Sequence, residues 1–370
     1  MKHLLLLGGG HAHVHVLKDL SGEALAGATV TLVTPFARQM YSGMVPGLVA
    51  GHYRAEQCAI PLAPLAAAAR VRFVEDAAVA LDAQRREVRL AGGETVGYDL
   101  LSLDTGPVMD RELIPGAREH GLFVRPIEHF VQLLDRLLAL AVQRPIDAVL
   151  IGGGAAGVEL ALALAWRLRH DASPDCRVTL VAGAERVLAG FGPTVRERAL
   201  AALRRARITV LNEDCVEVAA DHVRLAGGTR VACDAPLLAI GASAPTWLAT
   251  SGLALDELGF VATGPTLQST SHPAVFAAGD VASRVDHPHP KSGVYAVRAG
   301  PPLALNLRRF VGGGELVPYT PQRRTLYLLS LGEKRAIGSW GGWSAQGRWV
   351  WHWKDRIDRG FIGRYATEAA

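Results

Sequence analysis

The chain is 370 residues long, enough for two or three domains that each bury a core, and 49% of its residues are hydrophobic, as in ordinary globular proteins. Its formal net charge is only +4, and no basic patch interleaved with aromatics occurs before the tail, which argues against a nucleic-acid partner. Four cysteines, Cys58, Cys176, Cys215 and Cys233, lack C-x-x-C spacing, so neither a disulfide framework nor a zinc site is expected and a reducing compartment suits the chain.

The start, Met-Lys-His and four leucines, has the look of a leader. Its apolar run is too short for one, and it meets glycines rather than a small-residue cleavage site. No window approaches the ~18 uninterrupted apolar residues of a membrane span. The expected location is the cytoplasm, with peripheral contact at the inner face of the membrane if the tail docks there.

Leu4 to Leu7 run into Gly8, Gly9 and Gly10, followed by His11, Ala12, His13, Val14 and His15. An apolar strand entering G-x-G ahead of a helix opens a dinucleotide-binding loop, here with His13 where the third glycine belongs. The histidines do not predict a metal site. On a helix His11 and His15 share a face while His13 points elsewhere, and no Asp, Glu or Cys nearby completes a ligand set. They read as residues lining the loop or facing solvent, with His13 widening the helix–strand separation or shifting the backbone. The next strand, TVTLVTP over 29–35, ends on Thr34 where an acid normally holds the ribose hydroxyls, so Thr34 or Arg38 is expected there.

Residues 88–106, VRLAGGETVGYDLLSLDTG, recur as VRLAGGTRVACDAPLLAIG over 223–241. Ahead of the second copy, AVLIGGGAAG (148–157) supplies a full G-x-G-x-x-G in Gly152, Gly154 and Gly157, with Ala155 and Ala156 between and a helix predicted over 158–167. The first glycine permits the turn, the second lets the backbone approach a pyrophosphate, and the third lets helix and strand pack closely. The pyrophosphate then rests on the amides and positive dipole end of the helix. Strand CRVTLVAG (176–183) ends on Ala182 and Gly183 rather than on an acid, with Arg186 beyond. That favours NADPH or use of both coenzymes, or else poor binding of either.

Downstream, VFAAGD ends a strand on Gly279-Asp280, an acid placed to accept hydrogen bonds from ribityl hydroxyls or simply to end the strand. A helix is predicted over 293–307. Alternating Trp349, Trp351 and Trp353 predict one face of a strand, and 354–365 a short amphipathic basic helix with Ile357, Phe361 and Tyr365 on one side. This tail reads as a core-packing strand with a solvated helix, or as an aromatic lid with a membrane-tolerant basic edge.

Gly8 and Gly10, the Thr105-Gly106 turn, GGGAAGVE (152–159) and VFAAGD (275–280) resemble the pyridine nucleotide-disulfide oxidoreductase superfamily over roughly residues 1–310, and within it the type II NADH:quinone and sulfide:quinone oxidoreductases. GGGHAH, YSGMVPGLVAGHY (41–53), PKSGVYAVRAGP (290–301) and WKDRIDRGF (353–361) resemble a flavoprotein family sometimes fused to selenide, water dikinase. The resemblance implies an α/β fold of two Rossmann-like modules: FAD in 1–110 with 262–310, NAD(P)H in 111–261, and a small α+β C-terminal segment over 311–370. It implies flavin contacts at Gly8, Gly10, His11, Ala12, His13, Ser42, Ala78, Thr105, Gly106, Gly279, Asp280, Gly293 and Val294. Lys291 and a helix dipole would stabilise negative charge on reduced flavin, and Glu159 would lie near the nicotinamide. Disulfide reductases of the superfamily carry cysteines where this chain has Ser42, and no cysteine follows Cys233, so a redox disulfide is excluded there. The implied reaction runs from NAD(P)H through flavin to a diffusible acceptor, a quinone first. The alternatives are a selenium or sulfur species, with a link to selenophosphate synthesis, or a redox-sensing interaction protein that holds flavin without turnover.

Overall fold

Apolar runs without alternation form strands covered on both faces. Leu4–Leu7 and Leu100–Leu103 are such runs, and in the computed structural model, which describes residues 1–366, they pair side by side at the centre of a parallel sheet. Its strand order is Val275–Ala277, Leu100–Leu103, Lys2–Leu7, Ala28–Thr34, Arg72–Glu75. A second parallel sheet repeats the order as Leu122–Phe123, Ala235–Leu238, Asp147–Ile151, Arg177–Val181, Thr209–Leu211. In both, the outermost strand comes from outside the repeated stretch, from downstream in the first sheet and from upstream in the second.

Each sheet carries one helix behind its glycine loop, His11–Gly22 in the first and Ala155–Asp171 in the second. Each also carries a small antiparallel sheet closed by an Ala-Gly-Gly turn, where Gly93 and Gly228 take φ of +92° and +87°. The second helix extends beyond its expected bounds at both ends. It is apolar nearly all round because its sheet covers one side, while Leu329, Leu331 and Ile337 of the C-terminal segment join the same core.

The helix Gly293–Gly312, capped by Ser292, lies against the first loop helix. Gly300 permits that approach, since a Cβ there would stand 2.7 Å from the Cβ of His15. Three antiparallel strands, Leu326–Leu331, Glu333–Trp340 and Trp343–Gly347, lead to the last helix, Arg348–Tyr365. The tryptophan alternation is therefore helical, not extended. A helix turns about 100° per residue, which puts Trp349 and Trp353 on one exposed face with rings 6.5 Å apart and sends Trp351 into the core. Phe361 and Tyr365 join the core of the first module, so the same helix is anchored at both ends.

Candidate functional site

The first loop lies directly on the end of the strand Leu100–Leu103. Gly8 has φ of +94°, and a Cβ there would sit 2.5 Å from the Asp104 carbonyl and the Thr105 Cα; a Cβ on Gly10 would run into the Asp104 carboxyl. Asp104 is 2% exposed, and its Oδ2 accepts from the amides of Ala12 at 2.7 Å and His13 at 2.9 Å. It thereby satisfies two of the first-turn donors of a helix whose N-cap, Gly10, has no side chain to offer. Burial pushes this carboxyl up to about 7, against the pull of the two amides and with help from Asp280. Nothing in the local pattern marks Asp104, which reads from the sequence as a strand-end residue before Thr-Gly.

His13 neither lines the loop nor faces solvent, as the sequence had suggested. It is fully buried, Nδ1 donates to the Gly8 carbonyl at 2.6 Å, and Nε2 accepts from Ser102 Oγ at 2.8 Å. Burial lowers its pKa to about 4, against the Gly8 carbonyl, so the ring is neutral. An imidazole tied to the first glycine of its own loop fills the space that a third glycine would have closed.

A cavity of about 400 Å³ opens above the loop. Gly8, Gly10, His11, Thr34, Arg38, Ser42, Ala78, Thr105, Gly106, Asp280 and Gly293 line it. Glycines that admit no Cβ, a helix N-terminus and a cleft of this size suit an extended dinucleotide with its pyrophosphate on the loop. His11 accepts at Nδ1 from Gln39 Nε2 at 2.9 Å, and burial followed by Arg125 lowers its pKa to about 4. Arg125 faces Asp280 at 3.9 Å and opposes the burial that raises that carboxyl. Gly279, at φ of +70°, backs onto Asp104, so Ala12, His13 and Gly279 form the floor rather than the wall. Lys291 is not in the cavity either. Its ammonium donates to the Ala282 carbonyl and lies 3.9 Å from the centroid of Phe260, so the expected place beside the flavin ring is corrected.

A second cavity, about 520 Å³, shares Ser42, Arg125, Ile127 and Gly293 with the first. Its other walls are Ala155, Ala156 and Glu159 of the second loop helix, Val294, and Leu326, Ile357 and Phe361 of the C-terminal segment. Glu159 accepts from the Ser330 amide at 2.6 Å, and burial lifts its carboxyl to about 7 against the opposing charge of Lys354. Lys354, read from the sequence as part of a solvated basic helix, is 8% exposed. Its Nζ donates to the Gly43 carbonyl and to Asp358 Oδ2, both at 2.6 Å. Burial raises Asp358, and Tyr41 hydrogen-bonds to it. Two carboxyls raised by burial and one buried lysine, from two distant parts of the chain, therefore border one cavity, whose wall also carries Arg298, Arg324 and Arg364.

The second loop repeats the first with smaller parts. Gly152 takes φ of +129° against the Ala239 carbonyl, Gly157 packs against the Gly152 carbonyl, and Gly154 has open space beside it. These glycines and the exposed Arg186, at φ of +69°, lie outside the walls of both cavities. No cysteine lines either cavity among the described residues.

Residues 2–300 match the family described as pyridine nucleotide-disulphide oxidoreductase. The chain is 31% identical over 245 residues to a NADH dehydrogenase-like protein of Mycobacterium tuberculosis, covering 63% of this chain and 60% of the relative. It is 26% identical over 296 residues to the demethylphylloquinone reductase NdbB of Synechocystis, covering 76% of this chain and 72% of that one. In structure it is similar to the sulfide:quinone oxidoreductase of Aquifex aeolicus, with a TM-score of 0.82 at 19% identity, covering 99% of this chain and 91% of the other. That likeness carries the fold. The chain spans about 60% of the length of the mycobacterial relative. With its two glycine loops, its duplicated sheets and this match, the chain belongs to the pyridine nucleotide-disulphide oxidoreductase family, whose members bind FAD and NAD(P)H.

Proposed function

We propose that the protein is an FAD-dependent NAD(P)H oxidoreductase that passes electrons to a diffusible acceptor, a quinone, without a redox disulfide. One observation carries this reading: the cavity on the first loop and the larger chamber beside the second loop helix share a wall at Ser42 and Gly293. FAD, held by the first module, supplies the chemistry that links a hydride donor to an acceptor. Gly8, Gly10, Thr105 and Gly106 would hold its pyrophosphate and Asp280 its ribityl hydroxyls, with Thr34 and Arg38 toward the adenosine. Ser42 leaves no thiol to receive electrons at the shared wall.

The chamber's own residues do the rest. Leu326, Leu328, Ile357 and Phe361 give the cavity an apolar side that suits a flat ring, and Arg298, Arg324 and Arg364 give it a polar one. Glu159, near neutrality, holds a proton at the carboxyl, and Lys354 with Asp358 keeps charge balanced beside it. A quinone reduced by two electrons needs two protons, and Glu159 is placed to deliver one. Coenzyme choice rests with Ala182 and Arg186, which favour NADPH or both coenzymes.

Trp340, Trp343, Trp349 and Trp353 are 37–56% exposed on the hairpin and last helix, near Arg348 and Arg356. No helix among the described residues is long and apolar enough to cross a membrane. This aromatic, basic face is proposed to rest on a membrane surface, where a lipid-soluble acceptor resides.

Anaerobic titration with NADPH and NADH tests the reading, with flavin absorbance as the signal. Bleaching by either establishes the reductase half, and reoxidation by a soluble quinone the other. The likeness to flavoproteins fused to selenide, water dikinase makes selenite and polysulfide the competing acceptors. Faster reoxidation by either would replace the quinone. Bound flavin that neither coenzyme bleaches would sink the proposal.

A further inference from the structure

Asp104 has a counterpart in the repeat, and the counterpart is Ala239. Both residues donate their amide to the last residue of the central strand, Asp104 to Leu7 at 2.9 Å and Ala239 to Ile151 at 2.8 Å, and both pack their carbonyl against the first glycine of a loop, where a Cβ would stand 2.5 Å and 2.3 Å away. One module therefore places a carboxyl beneath its loop and the other a methyl group. Oδ2 is taken by the Ala12 and His13 amides. Oδ1 faces Gly10 and Gly279, a Cβ on the latter standing 2.5 Å from it, and Asp104 borders the cavity that the flavin would fill.

Beyond those two amides, Asp104 has no ion-pair partner among the described residues. From the loop helix come His11 and His13, both neutral, with pKa values near 4. From the turn after Gly279 comes a second acid, Asp280, which engages Arg125 at 3.9 Å. Across the cavity stand Arg38, Arg111, Glu128 and Asp76. The diphosphate of FAD brings two more negative charges to the same helix end. Ionised, Asp104 repels it. Protonated, Oδ1 becomes a donor facing the cavity.

We propose that Asp104 couples flavin binding to the uptake of one proton, so that the first module holds FAD with this carboxyl neutral and holds it less tightly as the pH rises. It acts as a positioning residue, through the loop amides and through its own charge. The inference rests on FAD occupying the first module. With the free carboxyl titrating at about 7, the window is pH 6.5 to 8.5. In the upper part of that window one linked proton weakens binding by up to about tenfold per pH unit.

The test is titration of the flavin-free protein with FAD at pH 6.5, 7.5 and 8.5, followed by flavin fluorescence, for the wild type and Asp104→Asn. Asparagine keeps an oxygen for the Ala12 and His13 amides and carries no charge. The expected result is a loss of about tenfold or more across the window in the wild type and a flat response in the variant. A flat wild type overturns the proposal, and so does a variant with the wild-type slope, which would assign the proton to Asp280 or elsewhere. Should the variant not fold, calorimetry of the wild type at pH 7.5 in two buffers of different ionisation enthalpy counts the protons directly. Uptake of a substantial fraction of one proton is expected, and zero uptake or release overturns the coupling. A wild type that binds no FAD at any pH would refute the placement of the flavin itself, a different result from binding that ignores pH.

Discussion

The two glycine loops rest on sheets of identical strand order, yet they are closed by different chemistry. In the second, Gly157 and Ala239 leave only backbone and one methyl group between helix and strand. In the first, His13 and Asp104 stand at the same two places and knit loop, helix and neighbouring strand with four hydrogen bonds, two to loop-helix amides, one to Gly8 and one to Ser102. A glycine achieves close packing by having no side chain. A histidine fills the space instead, and does so at low cost only if both ring nitrogens are satisfied, because a buried, unpaired polar group is costly. The difference suits a loop that keeps one cofactor against a loop whose dinucleotide comes and goes.

The largest separation between the modules should come from their two near-neutral carboxyls. Glu159→Gln is expected to lower quinone-coupled turnover about 100-fold, the scale of general acid catalysis, while leaving flavin binding unchanged. The sign follows from a pKa raised to about 7: Glu159 carries its proton below that pH, so wild-type turnover should fall as pH rises through 7 and the glutamine variant should be flat. Equal pH profiles in the two proteins would remove Glu159 from the proton path.

Next come the paired glycines. Gly10→Ala forces a methyl group into the Asp104 carboxyl, whereas Gly154→Ala meets open space. A clash of this kind costs about 1–3 kcal/mol, or roughly 10–100-fold in flavin affinity, read from equilibrium titration. Gly154→Ala should change stability by less than about 0.5 kcal/mol. Similar effects at both positions would mean that the carboxyl is not what makes the first loop different.

His13→Ala removes the ring that joins Gly8 to Ser102 and leaves both groups buried without partners. A loss of about 2–4 kcal/mol in denaturant unfolding is expected. A loss below about 1 kcal/mol would show that water replaces the imidazole at little cost. The smallest effect should be at the end of the second module's second strand. Ala182→Glu is expected to move the ratio of NADPH to NADH efficiency toward NADH by about tenfold, the worth of one good hydrogen bond to a ribose hydroxyl. No movement would place coenzyme choice elsewhere.

Much of this was legible in residue order. Glycine spacing, apolar runs and the repeated Ala-Gly-Gly hairpins are local signals, and the physics they report is local too: a turn that needs positive φ, a strand covered on both faces, a helix start without side chains. From them the α/β class and the duplicated module follow, and the absence of a cysteine at Ser42 is read directly. The tail shows where local pattern fails. Three alternating tryptophans fit a strand, and only the packing of Trp351, Phe361 and Tyr365 into two cores makes the segment a helix. Lys354 and Lys291 went the same way, one drawn from an expected solvated face to Gly43 and Asp358, the other away from the cavity on the first loop to Ala282.

What the chain order alone determined, then, is the frame: two dinucleotide loops on two parallel sheets, and no thiol between them. What only the tertiary structure decided is which polar groups meet. Asp104 lies 91 residues from His13, and Glu159 lies 171 from the Ser330 amide that it accepts from. A residue's own neighbours cannot report such pairs. Burial sets their protonation, and burial is a property of the elements that close over them after the chain has folded.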